Sequence, residues 1–150
     1  MHRDYFNLPL DKMMEIFDNA LKNGYTICWD GDVSSEFFRH KEGYAVYHKL
    51  EPMQKPEDID LNDEEDEVTQ EIRQKYFDRI ITTDDHLMHI VGIATDQNGR
   101  KYYQTKNSWG DNSNQYGGIL YMSEAFVRMN TIAAMINKKA LNEDLRNKLK

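Results

Sequence analysis

Apolar residues recur at Leu10, Met13, Met14, Phe17 and Leu21, the spacing of one helix face, and Gly24 follows as a stop. Residues 25–29 (YTICW) are rich in strand formers, and Asp30, Gly31 and Asp32 then predict a break. Residues 44–48 predict a second short strand. Val68, Ile72, Tyr76 and Ile80 predict another amphipathic helix. From His86 the pattern changes. Residues 86–95 (HLMHIVGIAT) read as a strand, residues 96–99 (DQNG) as a hairpin turn, and residues 101–109 (KYYQTKNSW) as the return strand. GGILYM predicts a third strand, Ser123 an N-cap for the short helix SEAFVRMN, and TIAAMI a last strand. Beyond Asn137 the chain is polar, with five Lys or Arg, and predicts a loose or frayed end. Helices dominate the first half and antiparallel strands the second, so the class is α+β, one unit without internal repeats.

Composition adds limits. The chain has 150 residues and a net charge of −7. Nine acids crowd between Glu57 and Glu71 with no Lys or Arg among them, after Pro52 and Pro56. Such a run predicts a solvated acidic loop, about residues 51–66, leading into a helix. On this reading the charge belongs to that loop and not to a cleft. Asp60, Asn62, Glu64 and Glu71 have part of a calcium-loop spacing, but Glu65 stands where the sharp turn needs Gly. An acidic chain lacks the basic face that nucleic acid requires. No apolar run of about 18 residues predicts a membrane span, and the first residues do not read as a secretory signal. A cytoplasmic protein is the expectation.

Candidate chemistry rests on five histidines and one cysteine. His2, His40 and His48 read as surface residues. His86 and His89 would share a face on a helix, but on a strand they point to opposite faces, which argues against a two-His metal site. His86 follows Asp84-Asp85 at a loop-to-strand junction, a place where a scaffold presents catalytic side chains. Closing the hairpin with a two-residue loop puts His86 near Trp109 and Asn107 within two positions of His86. An amide oxygen can accept an imidazole N–H, set its tautomer and orient the ring. An indole beside that bond shields it from water, and the other ring nitrogen is left to face a thiol. This is the logic of a Cys-His-Asn peptidase site.

The stretches DDHLMHIVGIA, TKNSWGDN and GGILYMSEAF resemble the His and Asn segments of papain-like cysteine peptidases, in particular the aminopeptidase C / bleomycin hydrolase branch. His86 matches the His that opens an H-A-M-type strand, with Leu87 in place of Ala. Asn107 matches the Asn of E-N-S-W-G, with Lys106 in place of Glu. Upstream, NGYTICWDGDVSSEFF resembles G-x-P-V-W-F-G-C-D-V-G-K, with Gly31 where that pattern has Cys. The resemblance spans about residues 7–140. It implies a papain-like fold, mainly the β-rich His/Asn-bearing half with flanking helices. It also implies His86 and Asn107 as catalytic residues, Trp109 as their shield, removal of N-terminal residues from peptides, a self-compartmentalised hexamer and a C-terminal arm entering the cleft. Whether the polar tail, about residues 138–150, acts as that arm is left open. No cofactor or metal is implied.

The family nucleophile opens a long helix in a Q-x-x-x-C-W motif, and this chain has none. Cys28-Trp29 has no Gln at the required spacing and follows a helix, so Cys28 reads as a small buried strand thiol. The expectation is therefore the C-terminal part of a peptidase domain, inactive alone, whose partners are a peptide and the Cys-bearing N-terminal remainder. Three rivals stand beside it: a non-catalytic papain-like binding or scaffolding module, a transferase pairing Cys28 with His86, and a metal protein using His86 and His89.

Overall fold

The computed structural model describes residues 5–60 and 62–148; His2 and the last two residues of the tail lie outside the described residues. Helix α1 (Leu10–Lys22) buries Leu10, Met14, Ile16, Phe17 and Ala20. It ends as its composition predicts. Gly24 takes φ +77°, and Tyr25 N–H donates back to Ala20 O at 2.9 Å, closing the helix with a left-handed glycine.

The strands are β1 (Ile27–Gly31), β2 (Phe38–Arg39), β3 (Tyr44–Ala45), β4 (His86–Thr95), β5 (Lys101–Asn107), β6 (Ile119–Ser123) and β7 (Thr131–Ile136). They form one sheet in the order β2-β3-β6-β5-β4-β1-β7. The β3–β6 pair is parallel and every other pairing is antiparallel. Helices α2 (Gln70–Asp78), α3 (Glu124–Asn130) and α4 (Glu143–Lys148) complete the α+β architecture. One sheet face supplies Ile27, Trp29, Met88, Ile90, Tyr103, Leu120 and Met122 to the core, where they meet Phe17 of α1 and Phe126 of α3. Removing each such large side chain from water is worth about 1.5–3 kcal/mol. Ser123 caps α3, accepting Phe126 N–H at 3.0 Å, and Thr69 caps α2.

Several expectations are corrected. Strand β1 does not break at Asp30. Tyr25 belongs to the turn of α1, and the strand runs on to Gly31 because β4 and β7 pair with it on both sides; two ladders override local propensity. The strand expected over residues 44–48 stops at Ala45. Tyr47 N–H donates instead to the Glu65 carboxylate at 2.6 Å and Lys49 N–H to Asp66 at 2.7 Å. The acidic run is thus not wholly a solvated loop: its last part supplies acceptors in place of a partner strand. Glu65 also accepts from Ser123 Oγ at 2.5 Å, and burial pushes its pKa up. Ile80 lies beyond α2, at φ +56°. The tail is not frayed through Leu145, because Ala140 and Leu145 are buried and Asn19 Nδ2 donates to Ala140 O at 2.9 Å.

Candidate active site

The β4–β5 hairpin builds the site through two departures from simple pairing. Its loop is longer than two residues: Thr95 pairs with Lys101, and Asp96 N–H donates to Arg100 O at 3.0 Å. A bulge then leaves Val91 unpaired, between Ile90, opposite Thr105, and Gly92, opposite Gln104. The two shifts offset each other, so Asn107 pairs with Met88. Were Val91 paired with Thr105 instead of bulged out, Asn107 would pair with His89 and share its face, since a one-residue slip reverses a strand's faces. The bulge is what puts Asn107 on the side of His86.

His86 begins β4 opposite Gly31. Its approach is held by Asp32, which is buried. Asp32 accepts from Thr83 N–H at 2.7 Å and, through its other oxygen, from Ser34 N–H at 2.7 Å and Ser34 Oγ at 2.6 Å. Asp85 accepts from Val33 N–H at 3.0 Å. These carboxylates clamp the two segments that meet at His86. Sequence patterning alone gives residues 30–32 only as a break.

His86 Nε2 lies 2.8 Å from Asn107 Oδ1. Asn107 is buried and its Nδ2 lies 3.2 Å from His40 Nδ1. His40 Nε2 in turn lies 2.8 Å from Ser113 Oγ. Trp109 touches both imidazoles, with ring centroids 4.9 Å from each, and Phe38 meets the indole edge-on at 6.0 Å. Trp109 is nonetheless 53% exposed, so the cluster opens to the surface through the indole. Lys106, where the resembling pattern has Glu, pairs with Asp111 and donates to the Gly117 carbonyl, holding the loop after Asn107.

His86, Asn107 and Trp109 come together as the hairpin reading placed them. His40 and His48 do not fit the surface reading. Both are buried, His40 inside the cluster and His48 edge-on to Phe37 at 5.6 Å. The aromatic run Phe37-Phe38 just before His40 was the available signal. His89 is exposed on the opposite sheet face and bonds Thr26 Oγ1 at 2.7 Å. Cys28 is half-buried, not buried. It pairs with His89 and Met135, on the face opposite Trp29 and His86, because side chains alternate along β1. A Cys28–His86 transferase dyad is therefore ruled out by geometry. Asp32 and Asp85 bring carboxylates beside the approach to His86, so negative charge is not confined to the acidic run. On the Cys28 face of β1, burial and a hydrogen bond to Asp84 push the Asp30 pKa up to about 6.

The chain matches the Peptidase C1-like family over residues 1–150 and belongs to that family. It is similar to aminopeptidase G of Lactobacillus delbrueckii subsp. lactis, 26% identical over 143 residues that cover 93% of this chain and 30% of that protein. It is also similar to aminopeptidase C of Streptococcus thermophilus, 27% identical over 143 residues, covering 93% and 29%. Among solved structures it resembles PepW from Lactobacillus rhamnosis HN001, with a TM-score of 0.68 at 19% identity, covering 95% of this chain and 29% of that one. The fold is papain-like, and the chain falls in the aminopeptidase C / bleomycin hydrolase branch. It spans about 30% of the length of the curated relatives it matches.

Proposed function

We propose that the chain is the His/Asn-bearing, C-terminal part of a cysteine aminopeptidase that hydrolyses peptide bonds through a Cys-His-Asn site. The observation that carries this reading is the 2.8 Å contact of His86 Nε2 with Asn107 Oδ1 under the Trp109 indole. That contact leaves His86 Nδ1 as the nitrogen able to meet a thiol. The nucleophile lies outside this chain, because its one cysteine sits on the other face of the sheet.

In the assembled site, His86 Nδ1 takes the thiol proton and forms a thiolate–imidazolium pair. The thiolate attacks the scissile carbonyl carbon and a C–S bond forms. The imidazolium returns its proton to the leaving amine as the C–N bond breaks. His86 then takes a proton from water, the resulting hydroxide attacks the thioester, and the thiol leaves with the proton restored. Asn107 holds the ring through Nε2 without adding a buried negative charge. The substrate is a peptide with a free N-terminus, and the branch implies a self-compartmentalised homo-oligomer, a hexamer, formed with the Cys-bearing part present.

The test is hydrolysis of an aminoacyl fluorogenic substrate by the 150-residue chain alone. No turnover is expected; turnover abolished by Cys28→Ser would overturn the assignment of the nucleophile. A second reading, a papain-like part retained for binding, draws on the same absence of a facing thiol among the described residues. The coding sequence upstream of Met1 separates the two: a Gln…Cys-Trp segment selects the peptidase, and its absence selects the binding module.

A further inference from the structure

Asn107 stands between two histidines, and the hydrogen bonds around it have only one consistent direction. The chain of contacts ends at Gly110 O, a carbonyl that can only accept. Ser113 Oγ lies 2.6 Å from it and carries a single proton, so that proton goes to Gly110 O. Ser113 Oγ must then accept from His40 Nε2–H, at 2.8 Å. A neutral imidazole protonated on Nε2 has its lone pair on Nδ1. That lone pair accepts from Asn107 Nδ2–H at 3.2 Å. With the amide nitrogen aimed at His40, Asn107 Oδ1 faces His86 Nε2 and accepts its proton-bearing bond at 2.8 Å. His86 Nδ1 is left as a free lone pair.

We propose that His40 is a positioning residue: relayed through Asn107 and anchored by Ser113, it fixes the tautomer of His86. This rests on the reading of His86 as the catalytic base. The physical need is clear. The two ends of a carboxamide are nearly equal in size, so an asparagine facing one histidine alone can turn over and present its NH2 group. His86 would then carry its proton on Nδ1, where the thiol must be met. His40 removes that degeneracy by demanding a donor from the amide.

The surroundings suit the role. His40 is 5% and Asn107 2% exposed, so water is not at hand to replace the missing partner of a flipped amide. The His40 ring is stacked on Phe38 at 6.4 Å and met edge-on by Trp109 at 4.9 Å, which fixes its plane. Gly110 sits at φ +89°, a conformation that favours glycine, and so aims its carbonyl at Ser113. Burial, then the nearby charges of Lys41 and His86, hold the His40 pKa below its ordinary value and so favour the neutral form that the relay needs.

The tautomers are read directly from long-range proton–nitrogen-15 correlation spectra of histidine rings in the 150-residue chain, at a pH where both are neutral. In the wild type, His40 and His86 each show the proton on Nε2. In His40→Phe, which keeps an aromatic ring beside Phe38 and Trp109, His86 becomes a mixture of both tautomers. Ser113→Ala produces the same mixture by removing the anchor, and carries the test if His40→Phe does not fold. In the Cys-bearing assembled enzyme, kcat falls by the factor by which the Nε2–H form of His86 is depleted, about twofold for an even mixture, with KM unchanged. Retention of a pure Nε2–H His86 in the folded variants, or a wild-type His40 protonated on Nδ1, overturns the proposal. The spectra need no activity. If the relay behaves as described while His86→Ala leaves the assembled enzyme active, the reading of His86 as base fails and the relay stands.

Discussion

Gly31 closes β1 between His86 on one side and Thr131 on the other, and replacing it by alanine tests whether that junction is as tight as it looks. A Cβ there would lie 2.3 Å from Asn130 O and 2.3 Å from an edge carbon of the Trp29 indole. Ordinary contact begins near 3.4 Å, so the neighbours must retreat by about 1.1 Å, the difference 3.4 − 2.3. Neither has an easy route. Trp29 is fully buried and its Nε1–H donates to Thr131 Oγ1 at 2.7 Å. Asn130 O is backbone and accepts Asp32 N–H at 3.0 Å. Overpacking of this kind costs about 1–3 kcal/mol, and loss of the Asp32 bond adds about 0.5–1.5 kcal/mol. Gly31→Ala should therefore lose about 1.5–4.5 kcal/mol, a Tm drop of about 3–18 °C for a chain of this size. Urea denaturation followed by tryptophan fluorescence measures it. Gly99→Ala is the control: nothing lies within 4 Å of its added Cβ, and its φ of +83° leaves only backbone strain, about 1 kcal/mol. A Gly31→Ala loss below about 0.5 kcal/mol would refute the claim that packed side chains and backbone fix the β1 end beside His86.

Deleting Val91 joins Ile90 to Gly92 while both keep their partners Thr105 and Gln104, so Asn107 stays opposite Met88 and the His86–Asn107 hydrogen bond should survive; a His86 ring N–H that exchanges at the solvent rate in that variant would show that strand register alone does not set the site. Glu65→Ala leaves the Tyr47 N–H and the Ser123 hydroxyl without their acceptor and should cost about 1–3 kcal/mol by denaturant melt, whereas a wild-type melt would return the acidic run to a plain solvated loop. Asp30 has a folded-state pKa of about 6 against about 3.9 unfolded, so the folded state binds the extra proton and stability falls as pH rises from about 4 to about 6. Asp30→Asn should flatten that window and be the more stable form above it, with no gain below it; melts at several pH values check this, and parallel curves would rule it out.

The elements written in short-range pattern were legible. The apolar spacing and Gly24 marked α1, residues 86–95 marked β4 from end to end, and Ser123 marked its cap. Side-chain alternation in the sequence also separates His86 from His89. What stayed hidden depends on distant partners. His40 looks like a surface residue because the asparagine that bonds it is 67 positions away. Residues 46–48 look like strand because nothing local says that carboxylates at Glu65 and Asp66, bonding Tyr47 and Lys49, will take the place of a neighbouring strand. The hairpin register came out right although its loop is longer than assumed, since the bulge at Val91 restored the phase. Asp32 looked like a chain breaker because its role, accepting bonds from both segments at His86, exists only once β1 and β4 have paired.

The proposed role of His86 is that of the proton-carrying base of a cysteine aminopeptidase completed by a Cys-bearing part. The most direct measurement is kcat/KM on an aminoacyl fluorogenic substrate for the assembled enzyme, compared with its His86→Ala and Asn107→Ala variants. A loss of about 10³-fold or more is expected for His86→Ala, and a smaller loss for Asn107→Ala, since Asn107 orients the ring but transfers no proton. Wild-type turnover in His86→Ala would contradict that role outright, and equal losses in the two variants would contradict the division of labour between them.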